Sequence, residues 1–327
     1  MDATQHDLSI VVVSTNEAHW LEACLKSVYA QAGSARLDVV VVDNESKDGT
    51  RELVERCFPK ARVVSCANRG FAHANNRALM TCTARYALCL NPDTEILQGA
   101  FGELVEMLDR RPEIGLLGVK QLDGELSLYP TVRRFPSARR ALAEAFTAES
   151  WPLRPAGLGE RELDLRKYES ELECDWVTGA FMLIRREALL GAGLLDERLF
   201  LFSDEPDLCL RVKRGGWKVV HSPAMTIVHH AGKAGIKPAL VAQEVFARRV
   251  YAEKHFSRPH RYAYLGAIAA RHVLRAALPA GRGGGPERRA ASTRALRTLV
   301  GREAPPFRQP PLAAIDSSTL AGPSQRR

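Results

Sequence analysis

Residues 8–13 read LSIVVV, a continuous apolar run rich in β-branched side chains, and residues 37–42 repeat the pattern as LDVVVV. Runs of this kind are typical of strands that are buried on both faces of a parallel sheet. Between them, residues 20–31 carry apolar side chains at helical spacing. Two such strands joined by a helix form the repeating unit of a doubly wound α/β sheet.

The same alternation continues along the chain. Further strands are predicted at 61–65, 86–90, 114–119, 174–177, 180–184, 217–221 and 225–228. Helices are predicted at 50–58, 72–83, 204–213, 238–255 and 261–278. Residues 121–170 contain prolines and arginines without a periodic pattern, so no elements are predicted there. We therefore expect an α/β fold with a doubly wound, mostly parallel sheet, C-terminal helices and a disordered basic tail after residue 278.

The composition is that of an ordinary globular protein, with 46% hydrophobic and 26% charged residues in a chain of 327. The first seven residues lack the basic-then-apolar layout of a signal peptide, and no run of 18 apolar residues occurs. The seven cysteines form no Cys-x-x-Cys pair, which is typical of buried thiols in a reducing compartment. These observations predict a cytoplasmic protein.

The net charge of +8 is unevenly distributed. Residues 257–327 contain thirteen arginines, no lysine and three acidic residues, a charge of +10, which leaves −2 for residues 1–256. A near-neutral body argues against a nucleic-acid-binding surface, so no nucleic acid partner is expected.

Polar residues follow four of the predicted strands, where parallel sheets bind ligands. The segments read STNE (14–17), DNESKDGT (43–50), NRGF (68–71) and NPDT (91–94). Neither a glycine-rich dinucleotide loop nor a P-loop is present, which argues against a Rossmann dehydrogenase and a P-loop enzyme. A nucleotide diphosphate would then need a divalent cation held by acidic side chains.

These four segments, together with FSDEPDLCLR at 202–211, resemble the inverting family 2 glycosyltransferases of GT-A fold, particularly the bacterial rhamnosyltransferases. The resemblance covers approximately residues 8–256. It implies a glycosyltransferase domain at 1–256, with a nucleotide-binding half at about 8–119 and an acceptor and catalytic half at about 120–256. An amphipathic helix at 257–278 and the basic tail at 279–327 would follow it.

The resemblance implies a set of side chains that hold the nucleotide-sugar donor. They are Thr15, Glu17, Asp43, Asn44, Asn68, Phe71, Asn75, Asn91, Trp176 and Gly179. Thr15 and Asp43 could instead be turn or helix-cap residues, and Phe71 and Trp176 could be core residues.

Asn91-Pro92-Asp93 occupies the place of the family's Asp-x-Asp metal motif. The resemblance implies that Asp93 and His229 bind Mg²⁺ or Mn²⁺, which would bridge the donor's diphosphate. Asn91 departs from the acidic form of the motif and offers a neutral carbonyl. A plain Asn-Pro-Asp turn and a structural histidine are the alternatives.

Inverting transfer needs one carboxylate that takes the acceptor's proton. The family pattern implies that Glu205 is this base, with Asp204 as the second candidate. Asp207 could cap the helix or pair with Arg211 four residues on. All three acidic residues could also simply favour the start of a helix.

The implied activity is transfer of a sugar, specifically L-rhamnose from a dTDP donor, to a polyprenyl-diphosphate-linked or cell-envelope glycan acceptor. The alternatives are a UDP- or GDP-sugar donor, a nucleotidyltransferase, whose glycine- and lysine-rich first loop is missing, and a non-catalytic scaffold on the membrane. The segment 257–278 can place Tyr264, Leu265, Ile268 and Leu274 on one face with arginines beside it. This pattern predicts peripheral binding to an anionic membrane on its cytoplasmic side, or else packing on the catalytic domain.

Overall fold

The computed structural model describes residues 6–146, 157–230, 237–277 and 285–307. Its strands are β1 Leu8–Ser14, β2 Leu37–Asn44, β3 Arg62–Cys66, β4 Tyr86–Leu90, β5 Thr94–Gln98, β6 Ile114–Asp123, β7 Leu172–Glu173, β8 Phe181–Arg185 and β9 Lys218–His229. Its α-helices are α1 Ala18–Ala30, α2 Thr50–Cys57, α3 Phe71–Leu79, α4 Phe101–Arg110, α5 Ala138–Phe146, α6 Arg186–Ala192, α7 Asp204–Arg214, α8 Pro238–His255, α9 Arg258–Ala277 and α10 Gly285–Leu299.

One mixed sheet runs in the order β3-β2-β1-β4-β8-β6-β9-β5, and β7 pairs with β9. Strands β1 to β4 are parallel, and the apolar runs that predicted β1 and β2 are buried as expected. The chain moves outward from β1 to β3 and then returns to the other side of β1 as β4. This reversal opens a crevice beyond Ser14 and Leu90, which is where doubly wound sheets bind ligands. The predicted α/β fold is confirmed.

The second half of the sheet departs from the predicted pattern. β8 is antiparallel to both β4 and β6. The two strands predicted at 217–221 and 225–228 form one strand, β9, with an irregularity opposite Val119 and Lys120. Residues 174–177 were predicted as a strand, but among them the structure has only an isolated bridge from Trp176 to Arg133. β5 and α4 were not predicted from the sequence.

Two apolar cores lie on opposite faces of the sheet. Helices α1, α2 and α4 cover one face through Leu21, Val54 and Leu104. Helices α3, α6 and α7 cover the other face, where Ala188 and Leu208 are fully buried. This three-layer arrangement explains why the strands read as continuous apolar runs without alternation.

The C-terminal helices pack on the protein, which corrects two predictions. Within the tail predicted to be disordered, α10 is folded because Ala291, Ala295 and Leu299 recur every four residues and form an apolar stripe. The face of α9 predicted to meet a membrane is occupied, since Tyr264 and Ile268 are buried in the same cluster. Residues 278–284 and 308–327 of the predicted tail lie outside the described residues. No described helix is both long and apolar enough to cross a membrane.

Candidate active site

The loops after β1 and β2 are joined by hydrogen bonds at the edge of the crevice. Asn44 donates to the Thr15 hydroxyl at 2.9 Å, and the Lys47 N–H donates to the Asn16 side chain at 2.7 Å. Asn44 is only 4% exposed and also accepts from the Cys66 thiol. Asn44 was predicted to bind the nucleoside, but its amide is used inside the protein, where it positions Thr15.

Asp43 is the second-last residue of β2 and is half-buried, and its carboxylate accepts a hydrogen bond from the Ser46 N–H at 2.9 Å. Asn68 is exposed and accepts from the Gly70 N–H at 3.2 Å. Asn75 is 1% exposed and donates to the Phe71 carbonyl at 3.0 Å. The predicted contact of Asn75 with the ligand stays a prediction, and its amide is already bonded within the first turn of α3.

Three of the predicted polar side chains converge beside the end of β4. Nε2 of His229 lies 3.1 Å from Asp93 Oδ1 and 3.2 Å from Asn91 Nδ2. The other ring nitrogen of His229 lies 2.9 Å from the amide nitrogen of Gln121.

The pKa of Glu17 is raised to about 7, because the carboxyl is buried and the negative charge of Asp93 repels its ionised form.

This group suits a divalent cation in its chemistry. A carboxylate, an imidazole and an amide carbonyl are ligands that Mn²⁺ accepts, and Mg²⁺ commonly uses one or two carboxylates together with substrate phosphates. Within the described ranges, no three histidine, cysteine or acidic side chains form a complete metal cage. The residues therefore fit a cation that shares its coordination with a bound diphosphate.

Glu205 is the second residue of α7, which covers the face of the sheet opposite to α1, α2 and α4. Its Oε1 accepts a hydrogen bond from the Gly179 N–H at 3.1 Å. A Cβ atom at residue 179 would lie 2.8 Å from that oxygen, so only glycine allows the approach. Burial raises the pKa of Glu205, which makes the carboxylate a stronger base than a solvated glutamate.

Asp204 is 2% exposed, and its Oδ1 has no hydrogen-bond partner among the described residues. Burial, followed by the neighbouring charge of Glu205, raises the pKa of Asp204 well above its usual range. The two residues before it, Phe202 and Ser203, both have left-handed backbone angles, with φ of 73° and 62°. Such strain in side chains other than glycine is costly and is concentrated at functional sites.

Asp207 is an anchor rather than a ligand-facing group. Its carboxylate lies 2.7 Å from each of Arg211, Lys254 and His255. Through these contacts it ties α7 to the end of α8, and they hold the pKa of Asp207 below its ordinary value. The pairing with Arg211 was one of the alternatives that the sequence offered.

A cavity of about 720 Å³ is lined by some of these side chains. The predicted residues that line it are Phe71, Asn91, Trp176, Gly179, Asp204, Glu205 and His229. Trp176 is also a core residue, and its indole N–H donates to the Arg134 carbonyl at 3.0 Å. The other predicted residues do not line this cavity: Thr15, Glu17, Asp43, Asn44, Asn68, Asn75 and Asp93.

Sequence reasoning missed several residues that line the cavity. They include Gln121, Tyr129, Arg133, Arg161 and Arg248. Four of the five are arginines or a tyrosine, and three lie in residues 121–170 beyond β6, where no element was predicted. The only signal was the density of arginines in that segment.

The chain is similar to known proteins both in sequence and in fold. The profile described as "Glycosyl transferase family 2" matches residues 9–190. An N-acetylglucosaminyl-diphospho-decaprenol L-rhamnosyltransferase of Mycobacterium tuberculosis is 29% identical over 82% of this chain and 92% of its own length. Rhamnosyltransferase WbbL of Escherichia coli K12 is 20% identical over 68% of this chain and 83% of its own.

Solved structures agree on the fold. A mannosyltransferase from Pyrobaculum calidifontis, in complex with GDP-Man and Mn²⁺, aligns with a TM-score of 0.52 and 19% identity over 93% of this chain and 83% of its own. GalNAc-T7 with UDP, GalNAc and Mn²⁺ aligns with a TM-score of 0.60 and 15% identity over 93% of this chain and 57% of its own. Both share the GT-A architecture. Since the family profile covers more than half of the residues, the chain belongs to glycosyl transferase family 2 and is a glycosyltransferase.

Proposed function

We propose that this enzyme transfers L-rhamnose from a dTDP-linked donor, with inversion, to a saccharide carried on a polyprenyl diphosphate. The observation that carries the proposal is the position of Glu205, whose half-buried carboxylate Gly179 holds at the wall of a large cavity. The mycobacterial and Escherichia coli rhamnosyltransferases support the choice of sugar, and the mycobacterial enzyme supports the choice of acceptor.

The proposed reaction proceeds in one displacement, without a covalent enzyme intermediate. Glu205 takes the proton of the acceptor hydroxyl as that oxygen bonds to C1 of the sugar. The bond from C1 to the donor's phosphate oxygen breaks, and its electron pair leaves with the nucleoside diphosphate. Attack from the face opposite the leaving group inverts C1.

The donor would lie between the loop after β1 and the end of β4. In this proposal Thr15, Glu17 and Asp43 contact the nucleoside. Asn68, in the loop before α3, and Phe71, the first residue of α3, border the donor. Asn91, Asp93 and His229 would hold Mg²⁺ or Mn²⁺, which when bound neutralises charge on the diphosphate leaving group. Trp176 and Gly179 would border the transferred sugar.

A donor screen tests this proposal. The purified protein is incubated with dTDP-rhamnose, UDP-GlcNAc or GDP-mannose, a GlcNAc-diphospho-polyprenol and Mn²⁺. We expect a product 146 mass units heavier only with dTDP-rhamnose, since a deoxyhexose residue is added, and its anomeric configuration follows from nuclear magnetic resonance. Transfer from UDP-GlcNAc or GDP-mannose alone would replace the donor assignment and leave the family unchanged.

We further propose that the enzyme acts as a peripheral protein on the cytoplasmic membrane face, because a polyprenyl acceptor cannot leave the bilayer. The buried apolar face of α9 does not supply this contact, so exposed basic residues of the C-terminal helices would. Co-sedimentation of the full chain with anionic and neutral vesicles at low salt measures it. Equal recovery in the supernatant with both vesicles would refute membrane binding by charge.

A further inference from the structure

Two arginines and a tryptophan stand side by side in the wall of the cavity. Arg133 forms an antiparallel bridge with Arg161 on one side and with Trp176 on the other. The second bridge is closed by the Arg133 N–H donating to the Trp176 carbonyl at 2.9 Å. Directly opposed residues of antiparallel segments present their side chains to the same face. All three residues line the cavity, so this row faces its interior.

The row carries two like charges, on the half-buried Arg133 and on the exposed Arg161, and neither forms an ion pair among the described residues. Like charges directly opposite each other across an antiparallel pair are destabilising. The Nε of Arg133 is buried and has no hydrogen-bond partner among residues 6–146, 157–230, 237–277 and 285–307. Its guanidinium has a long 3.5 Å contact with the Tyr129 hydroxyl and lies 5.5 Å from the centre of the Trp176 ring.

The nearby carboxylates are committed elsewhere. Glu160 and Glu205 both attract the charge of Arg133, but neither is hydrogen-bonded to it in the described structure. Glu160 accepts from Arg248 at 2.9 Å, and Glu205 accepts from the Gly179 N–H. Burial, followed by the charge of Arg161, lowers the pKa of Arg133. A desolvated cation without a paired anion costs stability, and a bound anion would remove that cost.

We propose that Arg133 and Arg161 bind the diphosphate of the polyprenyl acceptor, so that the acceptor's saccharide hydroxyl is presented to Glu205. Guanidinium groups form bidentate hydrogen bonds with phosphate oxygens, and two adjacent ones match a diphosphate. This inference rests on the proposed function. The acceptor is favoured over the donor because Glu205 attracts Arg133, whereas Asp93, the carboxylate suited to the donor's diphosphate, lies between β4 and β5 and does not line this cavity.

Direct binding tests the site without any sugar transfer. Isothermal titration compares farnesyl diphosphate, a polyprenyl diphosphate lacking sugar and nucleotide, with dTDP in the presence of Mn²⁺. We expect Arg133→Gln and Arg161→Gln to weaken farnesyl diphosphate binding about tenfold or more each, the scale of a lost charged hydrogen bond. Binding of dTDP should change less than twofold. Arg139→Gln, which removes an exposed arginine of α5, is the matched control.

The outcomes separate the sources of the diphosphate. Weakened dTDP binding with unchanged farnesyl diphosphate binding would assign the pair to the donor and overturn the acceptor assignment. Unchanged affinity for both ligands, or an equal loss in Arg139→Gln, would overturn the site. If the wild-type protein binds farnesyl diphosphate in this manner yet fails to transfer rhamnose, the proposed function fails while the diphosphate site stands.

Two further measurements distinguish a binding role from a structural one. The melting temperature of ligand-free Arg161→Gln should equal or exceed that of the wild type, because the repulsion from Arg133 is removed. In steady-state kinetics KM for the lipid acceptor should rise about tenfold, while kcat and KM for the donor stay within about twofold. A lowered melting temperature with an unchanged acceptor KM would mean that the arginines only support the fold, which overturns the proposal.

Discussion

The backbone N–H of Gly179 donates a hydrogen bond to Oε1 of Glu205 at 3.1 Å, and a Cβ atom at residue 179 would lie 2.8 Å from the same oxygen. Gly179→Ala should therefore displace the carboxylate and lower kcat about 10²-fold, close to loss of a positioned base. Binding of dTDP, measured by titration, should be unaffected. Gly191→Ala on α6 is the control, because nothing lies within 4 Å of its added methyl group. Full activity of Gly179→Ala would mean that this contact does not position the base.

Replacing Glu205 itself tests its role in proton transfer. Glu205→Gln should lower kcat roughly 10²-fold or more while dTDP binding is retained. Since burial raises the pKa of Glu205, wild-type activity should fall, as the pH is lowered, at a pH above the ordinary value of 4.5. A base is active only when unprotonated, so this acid limb should be absent from the residual activity of the variant. If Asp204→Asn is the inactive variant and Glu205→Gln is active, the base is Asp204.

The buried carboxyl of Asp204 predicts an effect on stability. Its pKa is raised in the folded protein, so the neutral form is favoured and stability is lost as the pH rises through that pKa. Asp204→Asn should therefore raise the melting temperature at pH 8, by about 2–4 °C for each kcal/mol recovered. The gain should shrink towards pH 4, where the wild-type carboxyl is protonated. Thermal unfolding at both pH values measures this, and a loss of stability at pH 8 would contradict it.

Asp207 should respond in the opposite sense. Asp207 is 1% exposed and its carboxylate lies against Arg211, Lys254 and His255, so Asp207→Asn removes the anion that pairs with Arg211 and leaves Lys254 with Asp196 alone. We expect a loss of about 3–5 kcal/mol in the free energy of unfolding at pH 7. Because the pKa of Asp207 is lowered, the wild-type advantage is present above the unfolded pKa and disappears as the pH falls through the folded one. Urea titrations of the wild type and of Asp207→Asn at pH 7 and pH 3 provide the measurement. The same difference in the free energy of unfolding at both pH values would contradict this reasoning.

Metal dependence is tested at Asp93. Asp93→Ala should abolish transfer and remove the effect of Mn²⁺ on dTDP affinity, because no glycine-rich loop is available to neutralise the diphosphate. The matched control is Glu95→Gln, whose carboxylate pairs with His230 at 2.8 Å. Titration of dTDP with and without Mn²⁺ provides the measurement. An unchanged Mn²⁺ effect in Asp93→Ala would exclude this residue as a ligand.

The sequence predicted the first half of the fold well because buried parallel strands have a strong pattern. The runs LSIVVV and LDVVVV are typical of buried parallel strands, and in the structure they pair in parallel with Leu8 opposite Leu37. β5 was not predicted because five residues of mixed polarity at Thr94–Gln98 carry little periodic information. α4 was also not predicted, although Phe101, Leu104 and Leu108 recur at helical spacing. The segment around Arg133 escaped prediction because isolated bridges leave no repeating pattern.

The candidate site was predicted less evenly. A polar residue at a strand end looks the same in sequence whether it contacts a ligand or another side chain. Asn44 and Asn75 illustrate this, because each amide is buried and bonded within the protein. Glu205 was found through its motif, but its dependence on Gly179 required the three-dimensional approach of two segments 26 residues apart.

The contacts of Asp207 with Arg211, Lys254 and His255 have a consequence for how sequence variants of this protein should be interpreted. Lys254 and His255 belong to the last turn of α8, which lies well beyond residue 190, where the family match ends. Substitutions or premature stops near residue 254 would therefore reduce catalysis indirectly, by loosening α7, the helix that carries Glu205. Such alleles would mimic active-site mutations although they map far from the glycosyltransferase signature in the gene.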